Sequence, residues 1–203
     1  MSENFTKIQQ RAIQYWFLDG LAEISAGLIC FLLVALFVLW QAIPLTRWSL
    51  IIFFIAAFAV SFGFRLFIQK IKARTTYPRT GYVAPFSGME NKRALVMVIV
   101  FTIVLLGINF YLTIQGQTAL LWSPGVAGLT FAFVFAWTGY LTALRRFYFT
   151  AIFNLFVGAV LVFLGIGYFS GVAILTGLTG VILLFSGIQA RRAYFRLNPP
   201  SNE

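Results

Sequence analysis

The sequence contains no histidine, one cysteine and five acidic residues. Without histidine there is no imidazole general base, no Ser-His triad, and no histidine ligand for zinc or haem. A single thiol, Cys30, cannot close an intrachain disulfide. No glycine-rich phosphate loop of the P-loop or dinucleotide type is present. No metal and no cofactor is therefore expected.

What fills the space is apolar. Hydrophobic residues make up 61% of the 203 and charged residues 10%, against about 45–50% and about 25% in soluble domains. A water-soluble fold of this size could not bury so much apolar surface, so lipid is the expected solvent. The net charge of +10 would suggest nucleic acid in a soluble chain. In a membrane chain the bias of Lys and Arg toward cytoplasmic loops explains it first, and the expected partners are the bilayer and its anionic headgroups, not nucleic acid.

Six stretches reach the roughly 20 apolar residues that a crossing requires. They lie near 20–41, 48–69, 94–114, 119–143, 148–168 and 171–190. The short uncharged turns "TIQGQT" and "GYFSG" join the third span to the fourth and the fifth to the sixth, so antiparallel hairpins are expected there. With the N-terminus inside, the cytoplasmic side receives Lys7, Arg11, Arg65, Lys70, Lys72, Arg74, Arg79, Lys92 and Arg93. It also receives Arg145, Arg146, Arg191, Arg192 and Arg196, leaving only Arg47 outside. The expected fold is all-α: a polytopic protein of six transmembrane helices in three hairpins, with both termini cytoplasmic, in the cell membrane. Residues 191–203 read as a basic cytoplasmic tail.

The segment 1–19 has no apolar core followed by a small-residue cleavage site, so it is not a secretory signal. Phe5, Ile8, Ala12 and Trp16 form a stripe, which suits a short amphipathic helix in the headgroup plane. "WFLDGLAEISAG" (16–27) also aligns without gaps to "FYFTAIFNLFVG" (147–158). That pairs Asp19 with Thr150, Gly20 with Ala151, Glu23 with Asn154 and Gly27 with Gly158. Parallel repeats of one hairpin design are one explanation; the shared composition of apolar helices is another.

Asp19 and Glu23, four residues apart, share a helix face at the start of the first span. Carboxylates stabilise a helix N-terminus, and Asp19 suits an N-cap that ends the surface helix and starts the spanning one. Glu23 lies a turn deeper, where an ionised group costs about 2.5–3.5 kcal/mol even on lenient scales. It therefore needs a partner, and Arg65 at the end of the second span is the natural one. Asp19, Glu23 and Arg65 form the first candidate site, read as a structural ion pair or as a proton or cation site.

The one substantial loop, 70–93, combines charge with Pro78, Pro85 and Gly81. It reads as a basic linker lying on anionic lipid. It reads also as an ordered loop in which Arg74, Tyr77, Pro78, Arg79, Gly81 and Tyr82 bind an anion or a protein partner. "DGLAEISAG" together with "RTTYPRTGYV" resembles a set of uncharacterised prokaryotic multi-span integral membrane proteins. Those open their first span with an Asp-Gly-Leu-x-Glu-like motif and carry Tyr-Pro-Arg-x-Gly-Tyr in a cytoplasmic loop. The resemblance covers about a third of the chain, brings no activity with it, and implies that Asp19, Gly20, Glu23, Tyr77, Pro78, Arg79, Gly81 and Tyr82 belong to one cytoplasmic-face constellation.

Three functions compete. The first is a non-enzymatic binding, assembly or regulatory component working through its cytoplasmic face, with a protein partner or a second copy of itself. The second is a small transporter or channel using Glu23, although transporters usually carry more polar groups near midplane than Asn109 and Asn154 provide. The third, a lipid-modifying enzyme, lacks an evident acid–base pair and ranks last.

Overall fold

The computed structural model describes residues 14–42, 62–63, 66–76 and 121–198, together with 55, 59, 96, 100–101, 103–105, 107–108 and 111. Among them there is helix and turn but no strand. Four long helices stand out: α1 (Leu21–Ala42), α2 (Ser123–Thr142), α3 (Arg145–Phe163) and α4 (Tyr168–Leu197). All four are long and apolar enough to cross a membrane. The described residues of the expected second and third spans are helical throughout.

The helices carry their polarity on the inside. On α3 the buried face is Phe147, Thr150, Ala151, Asn154, Gly158 and Leu161, spaced as one helical stripe. The opposite face presents Phe149, Phe156 and Phe163, seven residues apart and 72%, 66% and 91% exposed. On α4, Thr176, Thr179, Gly180 and Gly187 point inward while Leu178, Val181, Phe185 and Ile188 are exposed. Water would penalise so large an apolar exterior. A bilayer favours it, because small and polar residues let helices approach and bond where lipid cannot reach. This chain is a membrane protein.

Two compact units divide the chain: Met1–Gln14 with Pro85–Leu175, and Tyr15–Ala84 with Thr176–Glu203. In the first, α2 and α3 pack antiparallel. Ala143 in the left-handed region (φ 54°) and an extended Leu144 turn the chain between them. Their backbones meet at small residues, since a Cβ on Gly128 would stand 2.7 Å from the Asn154 carbonyl oxygen, and one on Gly158 3.0 Å from the Pro124 carbonyl oxygen. Phe101, from the expected third span, places its ring centroid 3.9 Å from that of Phe133 on α2.

In the second unit, α1 runs antiparallel to the later part of α4. A Cβ on Gly27 would lie 2.9 Å from the Gly180 carbonyl oxygen, and Gly177 faces Val34 a turn further along. α4 continues to Leu197, seven residues past the expected end of the last span at 190. Nothing in "ARRAYFRL" breaks a helix, and the run ends only at Asn198. There both the backbone N–H and Nδ2 of Asn198 donate to the Tyr194 carbonyl (3.0 Å each), ahead of two prolines. The start of the expected tail is therefore helix.

Candidate functional site

The site grows from Gly20. Residues 14–18 are helical, and Gly20 N–H closes their last turn onto the Phe17 carbonyl (3.2 Å). Gly20 adopts φ 68°, a conformation glycine enters without steric cost. Its own carbonyl then accepts from Ile24 N–H (3.0 Å), the first bond of α1. Gly20, not Asp19, thus holds the N-cap position. Asp19 stands one residue earlier, and its Oδ1 accepts from Leu21 N–H at 3.1 Å. The backbone can reach this point only as glycine, because a Cβ on Gly20 would collide with the Gly187 carbonyl oxygen on α4.

Asp19 is 1% exposed, and its second oxygen has two donors. Lys72 Nζ lies 3.3 Å from Oδ2, and Thr76 Oγ1 donates to the same atom at 3.2 Å. Lys72 also donates to the Trp16 carbonyl at 2.6 Å and stands 4.4 Å from the centre of the Trp16 ring. Trp16, the last residue of the expected amphipathic stripe, is half-buried against this lysine. Burial pushes the Lys72 ammonium below its ordinary pKa, and the neighbouring Asp19 charge and hydrogen bond oppose that shift. Tyr194 of α4 completes the cluster, its hydroxyl 3.5 Å from the Thr76 carbonyl oxygen. Three pieces of chain are tied here: the start of α1, the end of the helical segment 66–75, and the end of α4.

Glu23 lies one turn along α1, 2% exposed. Its Oε2 accepts from Ser186 Oγ on α4 at 2.7 Å. Arg65, the expected partner of Glu23, lies outside the described residues. So do Tyr77, Pro78, Arg79, Gly81 and Tyr82 of the candidate loop. Arg74 is described and exposed, in the last turn of the segment 66–75. Among the described residues, no three of His, Cys, Asp and Glu gather as metal ligands would.

Sequence reasoning passes over Thr76 and Tyr194, while Lys72 reads there only as one of the cytoplasmic cations and Ser186 only as a hydroxyl able to bond its own backbone. A signal for Lys72 and Thr76 existed: Ile68, Lys72, Thr75 and Thr76 recur at helical spacing on one face, whereas Lys70 and Arg74 fall on the other. The positions paired by the alignment of 16–27 with 147–158 are all buried: Asp19, Gly20, Glu23 and Gly27 in one unit, Thr150, Ala151, Asn154 and Gly158 in the other. In the second set Asn154 Nδ2 donates to the Thr150 carbonyl (2.8 Å) and Thr150 Oγ1 to that of Arg146 (3.1 Å).

Chemically, the Asp19 cluster is a closed lock. Both carboxylate oxygens accept hydrogen bonds, and the cation is held between Asp19 and the Trp16 carbonyl. The chain matches no protein-family model, no curated protein and no solved structure.

Proposed function

We propose that this chain is a six-span protein of the cell membrane with both termini cytoplasmic. It acts as a non-enzymatic binding, assembly or regulatory component through its cytoplasmic face, the face on which Asp19 and the loop 70–93 lie. Parity supports the topology: a first and a last helix that run antiparallel require an even number of crossings. Six of them account for the helical residues within 48–69 and 94–114. A cysteine placed at Arg79 stays unlabelled by an impermeant maleimide in intact cells and labels after permeabilisation; labelling from outside would reverse the orientation.

The functional reading is supported by the contacts that Asp19 makes with Lys72, Thr76 and the Leu21 N–H. The deeply buried ion pair is spent on tying three helix ends together, as a scaffold requires, and the cations around it stay exposed. Affinity capture of the tagged chain from gently solubilised membranes is expected to retain a second copy or a partner protein. Recovery of a bare monomer would count against the proposal.

One observation favours a second reading, a transporter. Glu23 is buried at the packing seam of α1 and α4 and is bonded to Ser186 across it, and ionisable groups at such depth often lie on ion or proton paths. Flux into proteoliposomes, compared between wild type and Glu23→Gln, tests it. Equal flux removes Glu23 from any transport role.

A further inference from the structure

The cations at the lock end of the second unit sort into two kinds. Lys72 points inward, 3% exposed, and so does the uncharged Tyr194 of α4, 8% exposed. Two residues to either side of each, Lys70 with Arg74 and Arg192 with Arg196 are exposed. On a helix a step of two residues turns a side chain by about 200°, so both pairs face away from the lock. Within each pair the spacing is four residues, which sets the side chains side by side. The two helix ends belong to one end of the unit, because Tyr194 meets Thr76 and Gly20 meets Arg191.

No exposed acidic residue balances these charges among the described residues of the unit: Asp19 is engaged with Lys72, and Glu23 is buried. Arg191 is different, half-buried with its guanidinium 4.9 Å from the Phe195 ring. Cations in a last helical turn favour the helix dipole. That alone does not call for two adjacent pairs, each turned outward on its own helix.

We propose that the Lys70–Arg74 and Arg192–Arg196 pairs bind the phosphates of anionic phospholipids in the ring of lipid around the protein. The inference rests on the bilayer placement proposed above, with this end at the cytoplasmic headgroups. Side chains that leave the helices sideways at that depth meet lipid phosphate. A soluble acidic protein would approach along the helix axes instead. A guanidinium fork with a neighbouring cation suits a phosphate monoanion.

The test uses the full chain in nanodiscs of phosphatidylglycerol and phosphatidylcholine in equal parts, with retained lipid counted by native mass spectrometry after release. Wild type is expected to keep phosphatidylglycerol in preference. K70Q/R74Q/R192Q/R196Q, checked for native helicity and melting in phosphatidylcholine alone, loses that preference by at least about tenfold, since each cation near an anionic surface contributes measurably. R192K/R196K keeps most of it. If the fourfold variant does not fold, K70Q/R74Q and R192Q/R196Q are read separately, each expected to lose part. An unchanged preference in the folded variants overturns the proposal. So does stripping of the retained lipid by inorganic phosphate, which would mark a site for free anion rather than lipid. Capture of a bare monomer in the affinity experiment would leave this result untouched, so the two ideas fail separately.

Discussion

Lys72 Nζ lies 3.3 Å from Asp19 Oδ2 across 53 residues of chain, with both side chains no more than 3% exposed. The logic of the contact is that of a buried pair. Each ion loses its hydration, and Thr76, the Leu21 N–H and the Trp16 carbonyl replace part of it with hydrogen bonds.

Removing one partner should therefore be worse than removing both. Asp19→Leu or Lys72→Met alone is expected to destabilise by about 3–5 kcal/mol, because each strands a buried charge. The double variant should lose clearly less than the sum of the singles. Thermal unfolding of the four proteins in detergent, followed by tryptophan fluorescence, gives the cycle. Strict additivity would mean that the two groups do not sense each other.

Gly20 and Gly165 separate two reasons for a glycine. Both adopt a left-handed backbone, at φ 68° and 65°, but Gly165 has open space around its missing Cβ while Gly20 abuts the Gly187 carbonyl. Gly165→Ala should cost about 1–2 kcal/mol for the backbone alone. Gly20→Ala carries the same strain and must also push α4 away from α1, so its loss of melting temperature should be plainly larger. Equal losses would show that the close approach is not needed for stability.

The sequence made the solvent and the helices legible because both are written in bulk composition and run length. It also marked Glu23 as a charge in need of a partner, while Asp19 read as an N-cap. It did not reveal Lys72, Thr76 or Ser186 as partners. Depth matching suggested Arg65 for Glu23, and Arg65 lies outside the described residues; the bond described for Glu23 comes from Ser186, 163 residues away. A serine in an apolar helix looks like packing until the crossing of Gly27 with Gly180 brings it near a carboxylate. Lys72 was counted only as one cation in a loop. Its place on the inward face, between outward Lys70 and Arg74, was readable from helical spacing but meant little until Asp19 was known to meet it. Helix ends were equally opaque where no breaker stands, which is why α4 overran its expected limit by seven residues.

The Glu23–Ser186 bond should behave as a charge-assisted one. Ser186→Ala is expected to cost about 1.5–3 kcal/mol in the wild-type background, but only about 0.5–1.5 kcal/mol when Glu23 is already Gln, since the acceptor is then neutral. Melting curves of Ser186→Ala, Glu23→Gln and the double variant measure the difference. A Ser186→Ala loss independent of residue 23 would place the serine's contribution elsewhere.

Alkaline pH offers a test of what burial does to Lys72. Its pKa is lowered from the ordinary 10.5, with desolvation as the leading cause and the Asp19 charge opposing. The folded state therefore holds this proton less tightly than the unfolded chain does. In the window between the lowered pKa and 10.5 the unfolded state binds more protons, so stability contributed through this group rises with pH. Below the window both states are protonated and the contribution is flat. The reference is Asp19→Leu/Lys72→Met, which removes the pair without stranding either charge. The difference in melting temperature, wild type minus this variant, should move in favour of wild type as pH climbs toward 10.5. Movement the other way would mean that attraction to Asp19 outweighs desolvation, and that the ammonium is held more firmly in the folded protein than in water.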